Sequence, residues 1–225
     1  MALSAARRED RRQHIVTAAQ SLLRDRGDAG FSMTELAVRA GVSPATPYNL
    51  VGSKAQILRL VVKEEFRSFI DKLSGLGGLT PLQGLLDATA LVVSHYEADR
   101  AFYRALYQMT YSSDAPDMHE QMLSEARALW TGLVRAAVAS GELGPITRVD
   151  PFTDVLLRTM TSVTLGWLSE DWSHARFEAE MALSVRLIAA ALARPDVQAQ
   201  LLVAIETLQV MLQAGFAANE LSAKV

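Results

Sequence analysis

The 225-residue sequence predicts an all-α protein. Apolar residues recur at steps of three and four along most of the chain, which is the spacing of one buried helix face. No segment of any length alternates between apolar and polar residues as a half-buried strand does. Half of the residues are apolar, which is ample for the core of one large domain or of two small ones.

Helix boundaries follow from capping residues, glycines and prolines. The main breaks fall at residues 75–78, 81, 116, 141–145, 151 and 195. The resulting prediction is a series of helices near residues 8–26, 33–40, 44–51, 53–74, 80–98, 99–111, 117–141, 151–170, 174–194 and 196–218. No repeat or low-complexity linker interrupts this series, so a domain boundary is expected to fall within continuous helical packing.

The second predicted helix has a clear start and a clear end. Ser32 and Glu35 form a capping-box pattern, in which each side chain satisfies a backbone N–H that the helix leaves without a partner. Gly41 follows the last apolar position and can adopt the positive φ that stops a helix. The next helix is expected to follow at once, with Ser43 as its cap and Pro44 at its first position.

The helix at 44–51 is too polar on one side to lie wholly in a core. Its exposed residues are small or can form hydrogen bonds, so they suit an approach to DNA base edges and phosphates. Two short helices joined by a glycine turn form a helix-turn-helix pattern, although any αα-hairpin with such a turn shares it. The predicted DNA-contacting residues are Thr34, Ser43, Ala45, Thr46, Pro47, Tyr48, Asn49 and Lys54.

Positive charge is confined to the N-terminal part of the chain. Residues 1–63 contain 10 Lys and Arg against 5 Asp and Glu, whereas residues 64–225 contain 12 against 20. A protein of net charge −3 therefore holds a segment of net charge +5, as a phosphate-binding module requires. Lys54 is expected beside a helix N-terminus, where a phosphate oxygen is favoured.

The predicted first helix begins with a basic stretch. Its arginines are Arg7, Arg8, Arg11 and Arg12. A stretch of this kind is either a disordered, solvated arm or a contact for the DNA backbone, and the two roles are compatible if the arm orders only on binding.

Residues from 12 to 62 resemble the N-terminal domain of the TetR family of bacterial transcriptional regulators. The matching residues are Ile15, Ala18, Ala19, Leu22, Gly27, Phe31 to Glu35, Ala40 to Ser43, Thr46, Tyr48, Ser53, Lys54 and Leu58. The resemblance implies a ligand-responsive, sequence-specific regulator of transcription. It would act as a repressor, leaving a palindromic operator on double-stranded DNA when a small effector binds.

Two residues depart from the family pattern. Pro47 replaces an aliphatic residue, so one early backbone hydrogen bond is expected to be lost and the helix start to tighten or bend. Val51 stands where an aromatic residue is usual, which leaves volume for a neighbouring side chain to fill. Both changes concern base reading, whereas the expected phosphate-binding residues are retained.

The resemblance also divides the chain into two domains. Residues 1–54 are expected to form a three-helix, helix-turn-helix DNA-binding domain, and residues 55–225 a helical effector-binding and dimerisation domain. The helices at 151–170 and 174–194 are expected to pair with their copies across the two-fold axis of a homodimer. A face of small residues on the first of these helices would let another helix approach closely: Val155, Thr159, Ser162 and Gly166.

Aromatic and methionine side chains cluster in the middle of the chain, where they either fill a core or line an adaptable pocket. The resemblance favours an effector pocket for part of the set. The predicted ligand-binding residues are Tyr96, Phe102, Tyr103, Tyr107, Trp130, Met160, Thr164 and Trp167. These side chains suit a small apolar or aromatic effector better than a strongly charged one.

The sequence offers little for catalysis. It contains no cysteine, its four histidines lie far apart, and it has neither a phosphate loop nor a Gly-x-Ser-x-Gly elbow. We therefore expect neither an enzyme nor a cofactor or metal. The N-terminus is too charged for a signal peptide and no apolar run reaches the ~18 residues of a membrane span, so a cytoplasmic protein is expected. The alternative function is a helical binding or scaffold protein that keeps this architecture without operator recognition.

Overall fold

The structure, a computed structural model, describes residues 2–77, 80–111 and 116–222. These residues form ten α-helices and no β-strand, so the all-α prediction is confirmed. The helices are α1 (Ala2–Arg26), α2 (Met33–Arg39), α3 (Thr46–Leu50), α4 (Lys54–Ser74), α5 (Pro81–Glu97), α6 (Arg100–Thr110), α7 (Pro116–Ala139), α8 (Val149–Glu170), α9 (His174–Ala190) and α10 (Pro195–Ser222). None of them is both long enough and apolar enough to cross a membrane within the described ranges.

The chain folds into two compact units, each built from two separate stretches of sequence. The first unit comprises Met1–Ile70 and Asp99–Glu125, and the second comprises Asp71–Ala98 and Ala126–Val225. Helices α1, α2, α3 and α6 lie within the first unit, and α5, α8, α9 and α10 lie within the second. Helices α4 and α7 contribute residues to both. The predicted division at residue 54 concerns function, and it stays a prediction.

The core of the first unit forms around α1, which packs against α2, α3 and α6. Ile15, Ala19 and Leu23 of α1 are fully buried at four-residue spacing, and Leu36 of α2 and Ile57 of α4 are buried as completely. Burial of these apolar side chains is the main stabilising contribution in this unit. The helix itself starts at Ala2, well before the predicted start at residue 8.

The core of the second unit forms around α9, which packs against α5, α8 and α10. Phe177 and Met181 of α9 are buried one turn apart, as the predicted apolar stripe requires. The ring of Phe177 stacks on that of Trp167 from α8, with centroids 4.5 Å apart and planes 7° from parallel. Trp167 is completely buried in this contact.

Helix α9 ends at Ala190, whereas the prediction extended it to residue 194. The backbone after the helix pairs with the loop that follows α7. The Gly144 N–H donates to the Leu192 carbonyl over 2.6 Å, and the Arg194 N–H donates to the Glu142 carbonyl over 3.0 Å. These long-range hydrogen bonds replace the helical ones, which explains why local sequence signals overestimated the helix.

Candidate DNA-binding site

The turn between α2 and α3 begins from a helix whose predicted cap is confirmed. The Ser32 N–H donates to the Glu35 carboxylate over 2.7 Å, and the Glu35 N–H donates to the Ser32 hydroxyl over 3.1 Å. Hydrogen bonds from Ser32, followed by the nearby Arg26, lower the pKa of Glu35. At the other end of α2, Gly41 adopts a φ of +63°, where a residue with a Cβ is strained. The predicted glycine stop is therefore confirmed.

Helix α3 starts at Thr46, two residues later than predicted. Its N-cap is Ala45, which has no side chain to accept a hydrogen bond, so the prediction that Ser43 caps this helix is wrong. The Ser43 hydroxyl instead lies 2.8 Å from the Thr46 hydroxyl, while the Thr46 N–H donates to the Ser43 carbonyl over 2.9 Å. A tight turn therefore takes the place of the first predicted helical turn.

Pro47 lies in the first turn of α3, and its side chain is buried. A helix leaves the N–H groups of its first turn without intrahelical partners, so the proline ring removes no helical hydrogen bond there. The expected loss of a bond is thus wrong, because the helix begins later than its sequence indicated. Since a buried ring cannot touch DNA, Pro47 is also corrected from a predicted contact to a support for α3.

The other predicted contacts on α2 and α3 remain accessible. Tyr48 is 55% exposed, and Thr46 is partly exposed. Thr34, Ser43, Ala45 and Asn49 are exposed as well. Sequence reasoning overlooked Val38, which is 76% exposed and lies one turn after Thr34 on the same face of α2. The sequence contained a signal for this exposure, because Val38 lies outside the apolar stripe of α2.

Lys54 lies at the start of α4, where its ammonium group is engaged within the first unit. It donates to the Ala29 carbonyl, and its Nζ lies 4.6 Å from the centroid of the Phe31 ring. Burial, together with the charge of Arg26, lowers the pKa of Lys54. The structure thus gives Lys54 a part in holding the loop before α2, and its phosphate contact stays a prediction.

Arginine side chains join α2 to α1, a contact that sequence reasoning did not foresee. Arg39 donates to Asp25 over 2.5 Å and to Ser21 over 2.5 Å. Arg26 at the end of α1 donates to Glu35 over 2.8 Å. Partners 14 and 9 residues apart in the chain belong to no local motif, so only the packed helices reveal them.

Known proteins support this arrangement at the level of fold. No protein-family model matches the chain. It is 27% identical over 173 residues to the HTH-type transcriptional repressor KstR2 of Mycolicibacterium smegmatis, covering 72% of this chain and 78% of that protein. In structure it resembles TylP, a TetR regulator from Streptomyces fradiae, with a TM-score of 0.67, 21% identity and coverage of 90% and 97% of the two chains. The repressor of the Stenotrophomonas maltophilia efflux pump SmeDEF, SmeT, gives a TM-score of 0.67 at 19% identity over 83% and 92%.

The chain has the TetR fold. The resemblance predicted from residues 12–62 is thereby confirmed, and the likeness extends over most of the chain. These relatives are regulators of transcription.

Within this TetR fold, the predicted ligand-binding residues are divided between the two units. Phe102, Tyr103 and Tyr107 of α6 are buried in the first unit. The Tyr103 hydroxyl donates to the Glu65 carboxylate over 2.9 Å, and burial together with that carboxylate raises the pKa of Tyr103. The Phe102 and Tyr103 rings meet edge to face, with centroids 5.2 Å apart. These contacts are those of a packed core, and the ligand-binding role stays a prediction.

The remaining predicted ligand-binding residues belong to the second unit. Trp130, Met160, Thr164 and Trp167 are buried, and Tyr96 is partly exposed. The Thr164 hydroxyl donates to the Met160 carbonyl over 2.9 Å, inside the same helix. The ligand-binding role of these residues also stays a prediction.

A cleft of about 450 Å³ opens elsewhere in the second unit, where α8 ends and α9 begins beside α10. Its residues include Glu170, Trp172, Arg176 and Met211, and none of the eight predicted ligand-binding residues lines it. The Arg176 guanidinium lies 4.2 Å from the Trp172 ring centroid. A Cβ at Gly166 would come within 2.7 Å of the Trp172 ring, so this small residue serves packing within its own chain.

Exposed apolar side chains of the second unit concentrate on α8 and α10. They include Val155 and Leu165 of α8, Leu187 of α9, and Leu202, Val203, Val210 and Met211 of α10, whereas Leu76 and Ile146 lie between helices. The four on α10 are each more than half exposed.

Proposed function

We propose that this chain is a ligand-responsive, sequence-specific transcriptional repressor that binds a palindromic DNA operator as a homodimer. The observation that carries the proposal is the exposure of Tyr48 and Asn49 on α3, a short helix that the Gly41 turn joins to the capped helix α2. In a TetR fold with repressors among its relatives, that helix suits the major groove. The relatives favour a regulator over a scaffold protein without operator recognition.

Separate roles follow for the exposed residues of α2 and α3. Thr46 and Asn49 can form hydrogen bonds with base edges, and Ala45 can pack against a thymine methyl group. Thr34, Ser43 and Tyr48 have hydroxyl groups that can donate to phosphate oxygens. Residues 1–54 form the DNA-binding domain in this proposal, and residues 55–225 bind the effector and dimerise.

The dimer contact in this proposal uses α8 and α10. Helix α9, which the sequence favoured together with α8, packs against three helices of its own unit and has Leu187 as its exposed large apolar side chain. Helix α10 exposes Leu202, Val203 and Val210 to water, and association that buries them is favourable. A two-fold axis brings the same patches of both copies together, so one apolar face serves both sides of the contact.

The effector is a small apolar or aromatic molecule held in residues 55–225. It releases DNA only by as much as it binds the DNA-free arrangement of the dimer more tightly than the DNA-bound one. Tyr96, Trp130, Met160, Thr164 and Trp167 remain candidate contacts, as do Phe102, Tyr103 and Tyr107.

Selection of duplexes from a randomised pool by the full-length protein tests the proposal. We expect a palindromic site, bound by a species that sedimentation velocity identifies as a dimer. Asn49→Ala should change the preferred bases at defined positions of the site, because it removes a base-reading amide. Tyr48→Phe keeps the ring and removes the hydroxyl, so it should weaken binding to all duplexes equally.

Two results would overturn the proposal. One is a protein that remains a monomer at micromolar concentration, since a single short recognition helix reads too few bases. The other is equal binding to every duplex in the pool, which would favour a scaffold or a non-specific binder. An unchanged base preference in Asn49→Ala would remove only the base-reading role of that residue.

A further inference from the structure

Helix α1 extends beyond the core of the first unit. Every residue from Ala5 to Arg11 is exposed, and Ile15 is the first buried position among those whose side chains are described. At 1.5 Å of rise per residue, the ten residues from Ala5 to His14 give about 15 Å of helix before the first buried position. Because this extension is helical, the position from which each of its side chains leaves the backbone is fixed.

Charge is segregated around the extension. With about 100° between successive residues of a helix, its four arginines fall within an arc of about 140°, and both acidic residues lie outside that arc. The arginine face consists of Arg7, Arg8, Arg11 and Arg12, and the acidic residues are Glu9 and Asp10. The same arc contains the buried Ile15, Ala18 and Leu22 further along α1. The arginine face therefore continues the side of α1 that packs against the other helices of its unit, α3 included.

The arginines of this face differ from the others near α2. Arg24, Arg26 and Arg39 each form an ion pair with an acidic residue of the first unit. In the described part of the chain, the guanidinium groups of the arginine face have no ion-pair or hydrogen-bond partner. Four guanidinium groups on one helix face, without acceptors among the described residues, have donors to offer an anionic partner.

We propose that the arginine face binds phosphates of the DNA backbone beside the bases read by α3. This inference rests on the proposed function, because it assumes that α3 docks on DNA. Guanidinium groups bind phosphate oxygens through two parallel hydrogen bonds, and a helical array suits phosphates at regular spacing. A lipid surface fits less well, since the extension from residue 5 to residue 12 has no apolar side chain larger than alanine to insert. The contact adds affinity without adding base preference.

Salt dependence of binding tests this inference. The probes are a duplex selected by the wild-type protein from a randomised pool and a 30-base-pair duplex of unrelated sequence, with affinity measured across a series of salt concentrations. Each lost phosphate contact lowers the slope of log affinity against log salt by about 0.9. Arg7→Gln with Arg11→Gln removes two arginines per protomer, so a dimer should lose about two to four from the slope on both probes.

Two further variants distinguish the effect of where the arginines lie from the effect of the net charge of the protein. Arg135→Gln with Arg148→Gln removes the same charge from exposed sites of the second unit, and it should leave the slope unchanged. Exchanging neighbours with Asp10→Arg and Arg11→Asp keeps the composition and moves one arginine off the arginine face. It should weaken binding to both duplexes, whereas diffuse attraction by net charge predicts no change. Circular dichroism checks that each variant keeps its helix content.

Each outcome decides for or against the inference. An unchanged slope in Arg7→Gln with Arg11→Gln would overturn it while the wild-type binding still supports the proposed function. Loss on the selected duplex alone would also overturn it, because phosphate contacts are independent of sequence. Binding of wild type to phosphatidylserine vesicles, abolished in that variant without a change in DNA slope, would assign the face to membranes instead. Failure of the wild type to bind either duplex would overturn the inference together with the proposed function.

Discussion

Helix α2 in the first unit and helix α5 in the second both begin with backbone N–H groups that require acceptors from outside the helix. At α2, Ser32 and Glu35 satisfy each other's backbone within three residues. At α5, the Thr80 hydroxyl accepts from the Gln83 N–H over 3.2 Å. The Leu82 N–H donates over 3.0 Å to the carboxylate of Glu142, which lies 60 residues later in the chain.

The acceptors at the start of α2 are local, whereas one acceptor at the start of α5 is distant in sequence. The segment around α2 and α3 differs from the interior of the second unit in the same way. The segment around α2 and α3 is shaped by short-range motifs, and the side chains that we propose as DNA contacts lie in solvent. The start of α5 depends on a buried carboxylate that also accepts from the Ser140 hydroxyl over 2.8 Å. A substitution near the recognition helix should therefore change DNA binding more than stability, and a substitution inside the second unit should do the reverse.

The largest expected effect is a loss of stability from a substitution in the buried interior of the second unit. Trp167→Ala removes a fully buried indole and its stacking on Phe177, so the free energy of unfolding should fall by about 3–5 kcal/mol. Urea titration followed by circular dichroism measures this change. The matched substitution Tyr48→Ala, at an exposed ring, should stay within about 0.5 kcal/mol of wild type.

A stable Trp167→Ala protein would break the comparison. It would mean that loss of the indole leaves no costly cavity, as expected for a wall of an empty pocket. The ligand-binding prediction for Trp167 would then gain support over its interpretation as core.

The second prediction concerns the distant cap of α5. The Leu82 N–H and the Ser140 hydroxyl both donate to Oε2 of Glu142, so Glu142→Gln can keep one oxygen for them, but it removes the charge and turns the other oxygen into an NH2 donor. Because a neutral acceptor forms weaker hydrogen bonds than a carboxylate, the free energy of unfolding at pH 7 should fall by about 1 kcal/mol. Urea titrations of wild type and variant at the same pH provide the measurement.

The pH dependence of the stability difference between wild type and Glu142→Gln shows whether the carboxylate charge is responsible for it. Desolvation raises the pKa of Glu142, but hydrogen bonds from Thr80, Leu82 and Ser140 outweigh it and hold this pKa below its usual value. A lowered folded-state pKa stabilises the protein above the unfolded-state value, and this contribution is lost as pH falls through the folded-state pKa. The gap between wild type and Glu142→Gln should therefore narrow in acid, and a gap constant with pH would show that the carboxylate charge is irrelevant.

Sequence reasoning succeeded where the determining contacts are local. The capping box of Ser32 and the positive φ of Gly41 depend on residues within one turn of each other, so their pattern in the sequence was sufficient. The buried stripes of α8 and α9 followed from helical periodicity for the same reason. Where local patterns set the conformation, the element and its buried face could both be predicted.

Sequence reasoning failed where contacts between distant parts of the chain determine the conformation. The end of α9 is set by hydrogen bonds from Gly144 and Arg194 to partners distant in sequence. The sequence around Ala190 contains neither a glycine nor a proline that would predict a helix end there. Pro47 is buried in the first turn of α3, whereas the sequence predicted it as a DNA contact. Aromatic composition likewise could not distinguish a pocket from a core, since a buried indole such as Trp167 is compatible with both.

The smallest expected effect is a loss of stability from a substitution in the cap of α2, which neighbouring residues form. Ser32→Ala removes one acceptor from the first turn of α2, which should lower the free energy of unfolding by about 0.5–2 kcal/mol. Ser32→Asp supplies a carboxylate acceptor at the same position and should restore most of that loss. Because α2 packs on α3, a loosened cap should also weaken DNA binding while leaving the base preference of Asn49 intact. A loss of stability as large as that of Trp167→Ala would show that this capping box also supports the core, and the contrast between local and distant caps would no longer hold.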